Sequence, residues 1–384
     1  MSPRSAYIHV PFCAHRCGYC DFTLIAGRDD LVGDYLRALA REIDRSLPLI
    51  APPYRQNEKM RELGTLFLGG GTPTHPTCEA LRELFRIVLG RFTLAPQAEV
   101  SIEANPLDLT NEKIDLLADA GFNRISLGVQ SFSHDALKLL ERDHTAGDID
   151  DVVRRLRKRF QNISLDLIFA VPGQSLEDWR QTLRRAIDVG PTHVSTYGLT
   201  WESGTAFGTR RDRGELSPVD EELERDQYAL AMDELANAGF EQYEISNFSR
   251  PGFRCRHNEV YWAGEEYWAF GPGAARYVSG RRETNIRSVL GWLNRIERSE
   301  TPVADTEQLE PEHRARELIF LGLRRNDGVC RADFHRRSGF EFDTIAAEAI
   351  ARNVHRGWLE DTGSSVRLTQ AGRFVADRVV ADFL

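Results

Sequence analysis

Cys13-Ala14-His15-Arg16-Cys17-Gly18-Tyr19-Cys20 packs three thiols into eight residues at C-x3-C-x2-C spacing. Thiolates are soft ligands that suit iron–sulfur clusters, zinc or Cu(I). Zinc asks for four ligands, usually with a second pair of Cys or His at its own spacing. No second C-x2-C follows here, and Cys78, Cys255 and Cys330 are scattered along the chain. A four-iron cubane fits better: three cysteines leave one iron open to a small molecule. The preceding run Ala6-Tyr7-Ile8-His9-Val10 reads as a strand that Pro11 ends. The cysteines then stand on the loop after a first strand, where barrel enzymes place their chemistry.

The rest of the chain is read from this loop outward. Its 384 residues allow one large barrel with an appendage, or two to three domains. An apolar content of 41% supports a sizeable core, and a net charge of −9 disfavours broad nucleic-acid binding. No apolar run reaches the roughly 20 residues of a membrane span. Met1-Ser2-Pro3-Arg4 leads straight into the first strand and leaves no room for a signal peptide. Three clustered thiols among six cysteines read as a metal site in a reducing compartment. The expectation is a cytoplasmic protein.

A strand–helix rhythm follows. Leu31 to Leu47 has amphipathic helical spacing, and Pro48, Pro52 and Pro53 are expected to end it. Thr65 to Leu68 is a strand that runs into Gly69-Gly70-Gly71-Thr72-Pro73-Thr74. Glycines there let a ligand approach the backbone, because no Cβ intervenes. Glu99 to Glu103 is the next strand, and Thr110 caps a helix reaching Ala120. Arg124 to Gln130 is a strand, followed by a helix from about His134 that carries Arg142 in its last turns. Ile163 to Ile168 and His193 to Tyr197 are strands, with a helix over Leu176 to Val189 between them. Alternation of this kind gives parallel pairing. Six units are too few to close an eight-stranded barrel, so the expected fold is α/β, a partial (β/α)6 TIM-like barrel.

Polar residues recur at the ends of successive strands: the cysteines, Gly70 to Thr72, Glu103, Gln130 and Asp166. In a parallel barrel these ends form one rim. Carboxylates suit hydroxyls and an ammonium group, and Arg142 suits a carboxylate gripped by two hydrogen bonds.

The cysteine spacing resembles the signature of radical S-adenosylmethionine (SAM) proteins. Tyr7-Ile8-His9-Val10-Pro11-Phe12-Cys13, the Gly-Gly-Gly-Thr-Pro-Thr run, Ser101 to Pro106, Gly128 to Phe132 and Asp166 to Ile168 resemble, in order, the oxygen-independent coproporphyrinogen III oxidase (HemN) family. The resemblance covers most of the first 290 residues. It implies a [4Fe-4S] cluster on Cys13, Cys17 and Cys20. It also implies SAM contacts at Tyr7, Tyr19, Gly70, Gly71, Thr72, Glu103, Gln130, Arg142, Asp166 and Gly198. The decarboxylating enzyme of that family has a fourth cysteine where this chain has Phe22, and a longer segment before its first strand. Both departures resemble the family's haem-chaperone branch. So does Arg256-His257-Asn258-Glu259-Val260-Tyr261-Trp262, which contains that branch's H-N-x-x-Y-W hallmark.

The resemblance therefore implies haem and haem-acceptor proteins as partners, with His257, Tyr261 and Trp262 as the haem segment. Cys255 and Tyr261 compete with His257 as iron ligand. Its rivals are an oxidative decarboxylase acting on coproporphyrinogen III and a nucleic-acid binder.

Val219 to Phe240 reads as a helix, and Gln242 to Trp268 as an irregular aromatic stretch in which His257 is free to face a cavity. The expected layout is a core barrel over 1–240, an aromatic segment over 241–300 completing it, and a winged-helix-like α+β cap over 301–384. In the cap, helices are expected at Pro311 to Leu323, Arg331 to Ser338, Phe342 to His355 and Thr369 to Leu384, with a hairpin at Leu359 and Val366 to Leu368. Between 312 and 384 stand 12 Arg and no Lys against 11 acids. That balance makes no basic face for nucleic acid.

Overall fold

The computed structural model describes residues 3–50 and 62–384. Six parallel strands stand side by side in chain order: β1 (Ser5–Val10), β2 (Glu62–Gly70), β3 (Thr93–Ala104), β4 (Arg124–Gln130), β5 (Asn162–Phe169) and β6 (His193–Gly198). Trp268–Phe270 pairs parallel outside β1, while Asn247–Ser249 and then Glu241–Gln242 continue the β6 side antiparallel. The result is the expected open, partial barrel of the radical SAM α/β type, extended at both edges.

Side chains alternate along each strand. Ile8, Leu66, Leu68, Val100, Ile102, Ile125, Leu127, Leu165 and Val194 are almost fully buried and join one core with helices such as Cys78–Leu89 and Leu176–Val189. The alternate positions are largely polar: Tyr7 and His9, Glu99 and Glu103, Arg124 and Ser126, Ser164 and Asp166, His193 and Ser195. The sheet thus buries an apolar layer under its helices and keeps a polar layer on its other face.

Four local readings change. The first long helix, Val32–Ile50, runs past Pro48. A proline forgoes one backbone bond and bends a helix without always ending it. Pro52 and Pro53 lie outside the described residues. The helix from His134 stops at Leu139, and Arg142 stands in the turn beyond it, where Glu141 takes a φ of +55°. A separate helix, Ala146–Leu156, then starts at a capping box of Thr145 and Asp148. The stretch expected to be irregular holds the helix Arg256–Trp262. Finally, the last helix divides at Val375 into Gln370–Phe374 and Ala376–Ala381, because Val375 leaves helical geometry (φ −123°, ψ 29°).

The C-terminal part has its own core, from Ala315 to Phe383, under helices Pro311–Leu323, Arg331–Ser338 and Phe342–His355. The expected hairpin is present as Leu359–Asp361 against Ser365–Leu368, with Val329–Cys330 as a third short strand. This is a winged-helix-like arrangement. Residues 303–308 lie before that core and pair with Arg281–Asn285.

Candidate cluster and S-adenosylmethionine site

The cysteine loop leaves β1 and is pinned from several sides. Cys13 is buried, and Cys17 and Cys20 are half-buried. The amide of Gly18 donates to Glu141 Oε2 at 2.8 Å, and His15 Nε2 meets the same oxygen at 3.1 Å. Arg16 donates to the carbonyls of Cys20 and Leu24, closing the loop on itself. Cys13 Sγ lies 3.1 Å from Thr72 Oγ1, which ties the loop to the glycine run after β2. Arg142 donates to the Gly128 carbonyl at 2.8 Å and reaches Cys17 Sγ at 3.9 Å. The turn that the sequence reading placed in a helix is therefore what carries Glu141 and Arg142 to the thiols.

Burial pushes the Cys13 thiol up to about 11, and the nearness of Cys20 and Cys17 adds to the shift. Burial also raises Cys20. Cys13 and Cys20 thus resist ionising, and a bound cationic metal centre removes that penalty. Among the described residues, no three His, Cys, Asp or Glu side chains converge on a single ion. A cubane does not ask for such convergence, since each thiolate takes a different iron. These residues fit a [4Fe-4S] cluster.

Next to the loop opens a cavity of 1630 Å³. Of the ten expected SAM contacts, nine line it: Tyr19, Gly70, Gly71, Thr72, Glu103, Gln130, Arg142, Asp166 and Gly198. The tenth, Tyr7, lies beneath the rim with its hydroxyl 3.1 Å from His9 Nδ1. Gly70 has a φ of +120°, and a Cβ there would meet the His9 ring within 2.9 Å. Its amide donates to Glu103 Oε2 at 3.0 Å. Gln130 sits at a bulge in the β4–β5 pairing with a φ of +64°. Bulges re-aim side chains beside sites, and here the amide faces the cavity.

Burial, and then the neighbouring Asp166, push Glu103 up to about 8. Asp166 is itself raised by burial, against hydrogen bonds such as those from Ser126 at 3.1 and 3.2 Å. Two half-buried acids side by side on the cavity wall suit a cationic, hydroxyl-bearing ligand. The sign of the linkage gives a test. A carboxyl whose pKa is higher folded than unfolded costs stability, a cost absent below about 4.5 and complete above about 8. Glu103→Gln should therefore raise the melting temperature of the ligand-free protein more at pH 9 than at pH 5. It should also weaken SAM binding at pH 8 by about tenfold or more, as loss of a charged hydrogen bond implies. A destabilised variant with unchanged SAM affinity would make Glu103 a structural acid.

The H-N-x-x-Y-W segment lies elsewhere. His257 is 1% exposed and does not line the cavity. Its Nδ1 and Nε2 are each hydrogen-bonded at 2.8 Å, with Thr65 Oγ1 and Tyr261 Oη. Its ring stacks on Phe67 with centroids 5.2 Å apart. The expectation of a free loop imidazole is corrected: the residue is helical, enclosed and fully partnered. The helix is held at its start by the Glu99 carboxylate, which accepts from the amides of Arg256 and His257 at 3.0 Å and from Cys255 Sγ at 3.6 Å. A carboxylate at a helix N-terminus satisfies orphan amides, and this one comes from a distant strand. Burial lowers the His257 imidazole to about 3, so it stays neutral. His257→Ala should cost about 2–4 kcal/mol of stability by leaving a cavity and two unpartnered hydroxyls. Thermal unfolding with and without SAM checks this, and an unchanged melting temperature would contradict the packing role.

Trp262 is half-buried, with the Arg324 guanidinium 5.0 Å over its ring. The sequence reading missed Glu141, which nothing in its neighbourhood marks. It also missed that Arg324 and most of residues 370–378 of the C-terminal part line the same cavity as the thiol loop.

The sequence model of the Radical SAM superfamily matches residues 7–186, and that of the HemN C-terminal domain matches 309–375. Iron–sulfur and SAM binding are typical of that superfamily. The chain is 35% identical to the heme chaperone HemW of Bacillus subtilis, covering 99% of each chain. It is 32% identical to that of Escherichia coli, over 100% of this chain and 99% of the relative. The coproporphyrinogen III oxidase (HemN) structure from Escherichia coli shares the fold: TM-score 0.86 at 21% identity, over 100% of this chain and 90% of that one. The chain thus belongs to the HemW family, within the radical SAM superfamily. No helix among the described residues is long and apolar enough to cross a membrane.

Proposed function

We propose that this protein holds a [4Fe-4S] cluster and SAM, binds haem, and hands it to haem-requiring proteins. The observation that carries the reading is end-to-end similarity to heme chaperones, including the C-terminal part. Phe22 supports it as well: it stands 63% exposed beside the thiol loop, at the position where the resemblance gives the decarboxylating branch a fourth cysteine.

Cys13, Cys17 and Cys20 would hold the cluster, which would supply a metal site for SAM to bind. Arg142 stands where it can meet the SAM carboxylate, next to Cys17. Glu103 and Asp166 offer acceptors to the hydroxyls and the cationic end. The glycines at the end of β2 let the backbone pass close to His9 and Cys13, where a Cβ would clash.

The test is transfer. The anaerobically reconstituted protein, loaded with haem, is mixed with a haem-free b-type cytochrome. The acceptor's spectrum should appear faster than from free haem at the same concentration. No acceleration, with haem retained by the donor, would overturn the chaperone reading.

A further inference from the structure

The cavity is larger than its expected SAM contacts require. Ordinary small-molecule sites occupy about 300–1,000 Å³, and this one reaches 1630 Å³ by continuing past the rim to the C-terminal part. On that side it is lined by Arg324 and Arg373, and by the aromatic rings of Tyr228 and Phe374. The two rings meet edge to face with centroids 5.7 Å apart.

Both arginines are held in place without being satisfied. Arg324 rests on the Trp262 ring and pairs with Asp377. Arg373 donates to Gln242 Oε1. Yet the Nε of each is buried with no hydrogen-bond partner. Burial lowers the Arg373 guanidinium below its ordinary value, and Arg367, its cationic neighbour, adds to the shift. A guanidinium presents a planar fork that matches a carboxylate, and Arg373, held only by the neutral Gln242 amide, has no carboxylate partner among the described residues. Glu221, Glu222 and Glu224 line the same cavity. Glu224 lies against Gly198, where a Cβ would stand 3.1 Å from its Oε1. Glu224 thus borders the SAM side, while Arg324, Arg373 and Asp377 stand on the C-terminal side.

We propose that Arg324 and Arg373 bind the carboxylates of a planar dicarboxylate macrocycle, whose apolar body lies against Tyr228 and Phe374. This rests on the haem-binding reading above and assigns it a place between barrel and C-terminal part, away from His257. It also gives Trp262 of the H-N-x-x-Y-W segment a part to play: its ring supports Arg324.

The experiment is a Soret-band titration of the anaerobically reconstituted full-length protein with haem and with haem dimethyl ester, whose carboxylates carry no charge. SAM affinity is measured in parallel. The wild type should bind haem at least tenfold tighter than the ester. Arg324→Gln/Arg373→Gln should lose that preference and bind haem at least tenfold more weakly, with SAM affinity kept. Arg373→Lys, which keeps the charge, should retain most of the preference. Haem binding that is indifferent to both esterification and the arginines would overturn this assignment alone. Absence of haem binding by the wild type would overturn the underlying reading with it.

Discussion

Changing Cys13, Cys17 or Cys20 to Ser is expected to abolish iron and sulfide incorporation, whereas Cys78→Ser, Cys255→Ser and Cys330→Ser should leave it intact. The first three share one loop, and each would ligate a different iron, so loss of any one leaves a cubane with two protein ligands. The others lie elsewhere. Cys255 is buried against Glu99, behind the sheet's polar layer, and burial pushes its thiol up to about 12. Cys330 is exposed and precedes the helix Arg331–Ser338. Iron and acid-labile sulfide analysis after anaerobic reconstitution decides the matter. A cluster lost in Cys255→Ser and kept in Cys17→Ser would show that the ligand set is wrong.

The second large effect is expected at Gly71. A Cβ there would stand 2.8 Å from the Phe12 carbonyl oxygen and 3.0 Å from Cys13 Sγ. The first contact is backbone, which cannot swing aside. The second is a proposed cluster ligand. Gly71→Val should therefore displace the loop that carries Cys13 and fill the space offered to SAM. Overpacking of this kind costs about 1–3 kcal/mol, and here the strain falls on the binding site. SAM affinity should fall roughly hundredfold, with cluster content reduced. Gly121→Ala is the control. It has a positive φ but nothing within 4 Å of its added Cβ, so it should cost stability without touching either cofactor. Equal SAM affinity in Gly71→Val and the wild type would remove the glycine run from the site.

The barrel was legible because its signals are local. β4 and the helix Leu176–Val189 have the bounds that periodicity and caps give. The thiol spacing and the polar strand ends needed only the rule that parallel strands bring their C-terminal ends to one rim. The readings that changed depend on long-range partners. The helix Arg256–Trp262 has no clear apolar periodicity, and its start is secured by Glu99 on β3. Nothing near residue 257 announces that partner, so the segment read as loop and its histidine as free. Arg142 was assigned to a helix because the apolar spacing continues to Leu140, while the left-handed turn at Glu141 is fixed by the loop it clamps. The basic wall of the cavity escaped for a related reason: Arg324 and Arg373 are distant in sequence from the thiol loop and share a cavity with it only through the C-terminal part.

This radical SAM protein is proposed to carry haem rather than to decarboxylate a porphyrinogen. The most direct measurement is one preparation, anaerobically reconstituted with cluster and SAM, assayed both for haem binding by its Soret band and for vinyl product from coproporphyrinogen III. Saturable haem binding and no vinyl product are expected. Vinyl product at a turnover on the order of 1 per second or faster, without saturable haem binding, would contradict this proposal.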